Sequence, residues 1–135
     1  MSTDYNRKRY LQLLNQKSIG DNSNYDELSR YSCLLTNQLD WKIRDQYLSL
    51  MENFLNENIS PSEFCSELTT KNCAIIDAVA FLEKHQILLL FDEKAPKFGE
   101  LIEEVMVELQ GDPSYTYDEY KNFIQETLTQ IKCFF

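Results

Sequence analysis

Residues 41–68 read WKIRDQYLSLMENFLNENISPSEFCSEL and contain one amphipathic helix pattern, followed directly by the start signal of a second helix. In the part that ends at Glu57, apolar side chains recur at intervals of three and four residues, which places them on one face of a helix. Ser60 then supplies a helix cap, Pro61 suits the first turn, and Glu63 can reach back to the capping residue. The stretch therefore predicts two consecutive helices joined by a short turn.

The chain on the N-terminal side of this stretch predicts two further helices. A basic helix covers about 4–17, and the segment SIGDNSN at 18–24 ends it with residues that favour turns. A second helix, in which apolar residues again recur at helical spacing, runs over about 24–37. Asp40 then has the chemistry to cap the next helix, which we expect to begin at Trp41.

On the C-terminal side, the helix that begins at Ser60 is expected to run to about residue 70, where TTKN at 69–72 bends or breaks it. The segment 74–91 has apolar side chains around most of a helix circumference, which predicts the central and most buried helix of the fold. A strand at ILLLF, residues 87–91, is the alternative. Because a lone strand would leave its backbone groups unpaired, we favour the helix.

Two more helices are predicted towards the C-terminus. Pro96 is expected to end the buried segment, and an amphipathic helix over 98–110 then runs until Gly111 ends it. Thr116 and Glu119 form a second capping box, from which the last helix starts near residue 117.

These elements predict an all-α fold, a single helical bundle of about five to six helices. A chain of 135 residues is long enough to bury a core without disulfides or a metal. Within it, we expect residues 1–22 to form a basic N-terminal helical arm and residues 23–135 to form the helical bundle domain.

The formal net charge of −9 argues against nucleic acid or an anionic membrane as the main partner, because phosphate binding depends on clustered Lys and Arg. The charge favours a basic protein partner. No apolar run approaches the length of a membrane span, and none behind the N-terminus would serve as an export signal. The cysteines, whose spacing fits no zinc template, are then expected to be reduced, buried thiols of an intracellular, cytoplasmic protein: Cys33, Cys65, Cys73 and Cys133.

A catalytic site has little support in the sequence. No nucleophile is paired with a base, and there is neither a metal-ligand cluster nor a glycine-rich phosphate loop. His85 is the only histidine and is expected on a solvated face. The carboxylates lie on predicted outer faces, whereas acid–base catalysis needs one in an apolar pocket. We therefore expect a protein that is not an enzyme and that uses no cofactor or metal.

A cluster of acidic residues near the C-terminus is the strongest functional signal. Residues 100–126 contain eight acidic residues and one lysine. Glu100, Glu104 and Glu108 follow each other at four-residue spacing on one helix edge, where like-charge neighbours cost roughly 0.2 to 0.5 kcal/mol per pair. A solvated face that aids solubility is one interpretation, and a binding surface for a cationic partner is the other. The binding interpretation assigns partner contacts to Glu100, Glu103, Glu104, Glu108, Asp112, Tyr115, Tyr117 and Asp118.

The segments YLSLMENFLNENISPSEFCSEL and FGELIEEVMVELQGDPSYTYDEYKNFIQETL, in this order, resemble the bacterial self-protective colicin-like immunity proteins, typified by the colicin D immunity protein. The likeness covers roughly residues 43–132 and consists of an I-S-x-x-E-F helix start, an acidic helix, an Asp-Pro turn and a final helix that opens with D-E. It implies a small helical bundle that binds a ribonuclease toxin and covers its basic active site. The carboxylates that it implies as mimics of tRNA phosphates are Glu103, Glu104, Glu108, Asp112 and Asp118.

The chain departs from that family in its greater length, its basic segment 1–17 and its apolar segment 74–91, which leaves room for a different partner. The alternative function is a structural or accessory subunit of a larger assembly, such as a ribonucleoprotein, that docks through apolar surface and a basic N-terminal arm. Arg7, Lys8 and Arg9 are the residues that favour this alternative.

Overall fold

The computed structural model describes residues 5–89, 92–111 and 116–133, in which the chain forms six α-helices and no strand. The predicted all-α helical bundle is therefore confirmed. None of these helices, within the ranges just given, is both long and apolar enough to cross a membrane. The helices are α1 (Arg7–Ser18), α2 (Tyr25–Lys42), α3 (Arg44–Leu55), α4 (Pro61–Lys84), α5 (Ala95–Gly111) and α6 (Tyr117–Cys133).

The larger of two hydrophobic cores lies between α3, the first half of α4, α5 and α6. At its centre, Phe54 of α3 stacks on Phe64 of α4 with ring centroids 4.6 Å apart, and both rings meet Tyr120 of α6 at a steep angle. Phe98 brings α5 into the same core through edge contacts with Trp41 and Tyr47. Large aromatic rings that are closed off from solvent thus position these four helices.

The smaller core joins α1, α2 and the second half of α4. Tyr10 of α1 stacks on Tyr31 of α2 with ring centroids 5.1 Å apart, and its hydroxyl group donates a hydrogen bond to the carboxylate of Glu83 on α4. Leu13 and Leu14 are buried in the same core. The arm predicted for residues 1–22 thus contributes interior side chains, and the domain boundary at residue 22 stays a prediction.

The predicted helix start at Trp41, with Asp40 as its cap, is wrong. α2 extends one residue beyond Trp41, and α3 begins only after a break at Ile43, which packs against both cores. A residue just before α5 holds the end of α2, because the indole N–H of Trp41 donates to the carboxylate of Asp92 at 3.0 Å. Asp40 is buried inside α2 and accepts a hydrogen bond of 2.7 Å from the hydroxyl group of Tyr47.

The predicted capping box at Ser60 is confirmed, and the predicted break at 69–72 is wrong. The Ser60 hydroxyl group accepts from the N–H of Glu63, and the Glu63 carboxylate accepts from the N–H of Ser60, both at 3.1 Å. α4 then continues without interruption to Lys84. Within the predicted break, the Thr70 hydroxyl group donates to the carbonyl group of Ser66 at 3.0 Å and thus has its partner inside the helix.

The segment 74–91 is not the central, most buried helix. α4 ends at Lys84, and residues 85–89 form neither helix nor strand, while 90 and 91 lie outside the described residues. On this half of α4, Ile76 and Phe81 are each 57% exposed. Apolar residues occur around most of this helix, but the smaller core covers only one side of α4. The prediction that the whole segment is buried is therefore wrong.

The prediction that Pro96 ends the preceding element is also wrong. Pro96 lies in the first turn of α5, where its missing N–H breaks no helical hydrogen bond. Just before it, the backbone N–H of Asp92 donates to the side chain of Gln38 at 3.0 Å, which ties the start of α5 to α2. The two helices approach closely at Gly99, where a Cβ atom would overlap the side-chain amide of Asn37.

The last two helix boundaries follow the predictions. α5 ends at Gly111, and α6 begins at Tyr117 after the capping box of Thr116 and Glu119. In this box, the N–H of Glu119 donates to the Thr116 hydroxyl group at 3.1 Å, and the N–H of Thr116 donates to the Glu119 carboxylate at 3.2 Å.

The prediction of buried thiols is wrong. All four cysteines are free, and only Cys65 is half-buried, whereas Cys33, Cys73 and Cys133 are exposed. These three fall on the solvent side of their helices. Their apolar character therefore did not indicate interior positions.

Candidate acidic binding surface

The position of the acidic cluster is set by the apolar stripe of α5. Phe98, Ile102 and Val105 are buried in the larger core, which turns the opposite side of the helix to solvent. Glu100, Glu103 and Glu104 are exposed on that side, and Glu108 is half-buried at its margin. We call these four residues the α5 acidic face: Glu100, Glu103, Glu104 and Glu108.

Within the described residues, no ion pair neutralises a carboxylate of the α5 acidic face. No ion pair between residues of the described ranges includes one of its carboxylates; the pairs found are Arg9–Glu27, Lys121–Glu57 and Lys132–Glu52. Lys121 is the basic residue within the acidic stretch of sequence, and its ammonium group lies 3.3 Å from Glu57 at the end of α3. Among the described residues, the carboxylates of the α5 acidic face therefore have no cation in an ion pair with them.

Val107 lies within the α5 acidic face and was not identified from the sequence. It is 58% exposed, and it follows Glu104 by three residues and Glu103 by four, which places all three on one side of the helix. Its spacing from the glutamates is the signal that could have revealed it. An apolar side chain surrounded by charges is the arrangement found where a contact surface has an apolar centre and a polar rim.

Glu108 connects the acidic face to α6. The pKa of the Tyr120 hydroxyl group is raised mainly because this group is buried, and further by the nearby Cys65 and Glu108. Glu108 thus lies near the contact between α5 and the first turns of α6, whereas the other three glutamates face solvent.

The predicted contacts on α6 are divided between two environments. Asp118 is exposed in the first turn of α6, next to the capping residue Glu119. Tyr117 is 38% exposed and packs edge-on against Phe54 of α3, and the Lys121 ammonium group lies 5.5 Å from its ring centroid. The described contacts of Tyr117 are therefore with α3 and a cation rather than with the α5 glutamates.

Two of the predicted contact residues, Asp112 and Tyr115, lie outside the described residues. Their place relative to the α5 acidic face stays a prediction from their position between α5 and α6.

The described residues offer no alternative site with evident chemistry. No group of three or more His, Cys, Asp or Glu in them is arranged to hold a metal ion. His85 is exposed just after the end of α4, and its ring packs against that of Phe81 with the ring centroids 4.5 Å apart. Asp40 has a raised pKa, but it lies in the interior under the hydroxyl group of Tyr47 and presents no open surface to a substrate.

No protein-family model, curated protein or solved structure matches this chain. The resemblance to colicin-like immunity proteins therefore stays a prediction. It rests on the quoted segments, whose helix starts at Ser60 and Thr116 form the capping boxes described above.

Proposed function

We propose that this protein is a non-enzymatic acidic inhibitor that binds a cationic surface of another protein. Following the resemblance of its sequence, we propose a ribonuclease toxin as that partner and its RNA-binding active site as the surface that is covered. The observation that carries the proposal is the α5 acidic face with Val107 inside it: Glu100, Glu103 and Glu104 are exposed, and none of its carboxylates is ion-paired within the described residues.

The geometry of α5 suits the replacement of a polyanion. Glu100 and Glu104 are separated by four residues, which corresponds to about 6 Å along a helix axis. Negative charges at such intervals on a rigid rod resemble the successive phosphates of a nucleic-acid strand, and a site built for phosphates presents Lys and Arg to meet them. Val107 would add an apolar contact at the centre of the charged surface.

The charge distribution also favours rapid capture of a basic partner. A surface with charge of one sign attracts a complementary surface before contact and raises the association rate. Salt screens this attraction over roughly 8 Å at physiological ionic strength. We therefore expect binding that weakens as salt concentration rises.

A capture experiment with charge-reversed variants tests the proposal. The immobilised chain is exposed to lysate of the source cells at low salt, retained protein is eluted with tRNA, and the eluate is assayed for RNA cleavage after removal of the chain. We expect a basic ribonuclease that is released by tRNA or by high salt. The variant Glu100→Lys, Glu103→Lys, Glu104→Lys should lose at least tenfold in affinity, because each lost contact becomes a repulsion.

The matched control reverses three exposed carboxylates elsewhere on the surface: Asp26→Lys, Asp45→Lys and Glu67→Lys. It changes the net charge equally and should retain the partner. An equal loss of affinity in both variants would show that binding depends only on the net charge of the protein, which would contradict a specific α5 surface. Unchanged capture by the α5 variant would also refute the proposal. Circular dichroism verifies that both variants keep their helices.

One observation favours the second candidate, an accessory subunit of a larger assembly. Arg7 and Lys8 are exposed at the start of α1, and Ile19 and Tyr25 are 81% and 63% exposed around the following turn. Arg9, by contrast, is held by Glu27 through hydrogen bonds of 2.8 and 2.6 Å. In the same capture experiment, a partner that is lost on Arg7→Glu, Lys8→Glu but kept by the α5 variant would support this candidate.

A further inference from the structure

α4 has an outer side that faces away from both cores and that carries exposed apolar residues. Its inner side carries the buried Ile75 and Val79, while Ile76 and Phe81 on its outer side are each 57% exposed. Between these two side chains lies Ala80, which is exposed and small. This outer surface is separate from the α5 acidic face and takes no part in the function proposed above.

Two opposite charges lie on the same outer side of α4, between Ile76 and Phe81 around the helix circumference. Asp77 and Lys84 are exposed and stand seven residues apart, which places them on one line along the helix, two turns from each other. Neither forms an ion pair with another residue of the described ranges. The midpoint between them falls between Ala80 and Phe81.

We propose that α4 pairs with α4 of a second copy of this chain in an antiparallel, two-fold symmetric dimer. When two such helices cross at this midpoint in opposite directions, Asp77 of each copy meets Lys84 of the other, so that two ion pairs form. Ala80 at the crossing allows the helix axes to approach closely, and Ile76 and Phe81 lose their exposure on either side of the contact.

The positions of Asp77 and Lys84 favour a second copy of this chain, rather than an unrelated protein, as the partner of α4. A two-fold interface must be complementary to itself, since the same surface serves both subunits. Asp77 and Lys84 meet this condition only in the antiparallel orientation, because a parallel pairing would place like charges opposite each other. The dimer has to overcome repulsion between two chains of net charge −9, so we expect its association to strengthen when salt screens this repulsion.

Charge reversal gives a direct test by sedimentation velocity over a concentration series of the full chain, from about 1 µM to about 1 mM. The wild-type protein should pass from monomer to dimer. Asp77→Lys alone, and Lys84→Asp alone, should each raise the dissociation constant roughly tenfold or more, because both ion pairs become repulsive.

Complementation separates this dimer from any other. The double variant Asp77→Lys, Lys84→Asp restores both pairs within one sequence and should dimerise again. An equimolar mixture of the two single variants should form a mixed dimer, since one chain then presents two cations and the other two anions. As an uncharged variant, Ala80→Trp places a large side chain at a position that is exposed in the monomer, and it should prevent the close crossing.

A wild-type chain that stays monomeric up to about 1 mM would overturn the proposal. So would a dimer that survives both single reversals and Ala80→Trp, or single variants that fail to combine in the mixture. Circular dichroism of each variant at low concentration shows whether the monomer is folded.

Discussion

Asp40 is a buried carboxyl group whose charged form is unfavourable in the folded protein. Burial raises its pKa to about 6 from an ordinary value of 3.8, and the hydrogen bond from Tyr47 opposes this only in part. The folded protein therefore binds this proton more tightly than the unfolded chain does, so the contribution of Asp40 to stability falls as pH rises from 3.8 through about 6. We predict that Asp40→Asn, which keeps an acceptor for Tyr47, raises the free energy of unfolding above pH 6 by about 2 kcal/mol.

Urea denaturation of both proteins between pH 3.5 and pH 8 measures this effect, and the difference should vanish below the pKa of the unfolded aspartate. Asp45→Asn is the matched control, because it removes an exposed carboxylate on the neighbouring helix and leaves Asp40 in place. A constant difference between Asp40→Asn and wild type across the pH range would show that burial of the charge is not the cause.

The packing of α5 on α2 depends on the absence of a side chain at Gly99. Glycine inside a helix costs roughly 1 kcal/mol relative to alanine, so Gly99→Ala would stabilise a helix that stood alone. Here the added Cβ atom overlaps the amide group of Asn37. We predict that Gly99→Ala destabilises the protein by about 1 to 3 kcal/mol, as measured by chemical denaturation.

The control is the same substitution in the background Asn37→Ala, which removes the overlapping amide group. There the loss caused by Gly99→Ala should shrink or change sign, giving a coupling energy between the two positions. Equal losses in the two backgrounds would mean that another contact makes the glycine necessary.

The two helix starts marked by capping boxes could be predicted from the sequence, whereas the break at Ile43 and the surroundings of α4 could not. The capping boxes at Ser60 and Thr116 depend on residues within four positions of each other, so local chemistry suffices to fix them. The exposure of Phe81 depends on how many helices surround α4, which the periodicity of one segment does not contain. The same limit applies to the site, where the exposed glutamates of α5 follow from helix phase, whereas the contact of Tyr117 with α3 arises only from tertiary packing.

We expect α1 to belong to the cooperative unit of the whole molecule, because it contributes side chains to the smaller core. Complete burial of a large apolar side chain contributes about 1.5 to 3 kcal/mol, and α1 supplies Tyr10, Leu13 and Leu14 to the smaller core. Their sum is comparable with the total stability of a typical domain, which is about 5 to 15 kcal/mol. We predict that removal of residues 1–22 lowers the urea midpoint strongly and increases hydrogen exchange in α2 and the second half of α4.

The variant Arg7→Ala, Lys8→Ala provides the control for this deletion, because it removes exposed charges and leaves the buried side chains in place. It should unfold at nearly the wild-type urea concentration. If the shortened chain also keeps its midpoint, residues 1–22 are an appendage to an independent bundle. If the midpoint falls as we expect, the chain unfolds as one unit, because Ile43 packs against both cores and transmits the loss of one to the other.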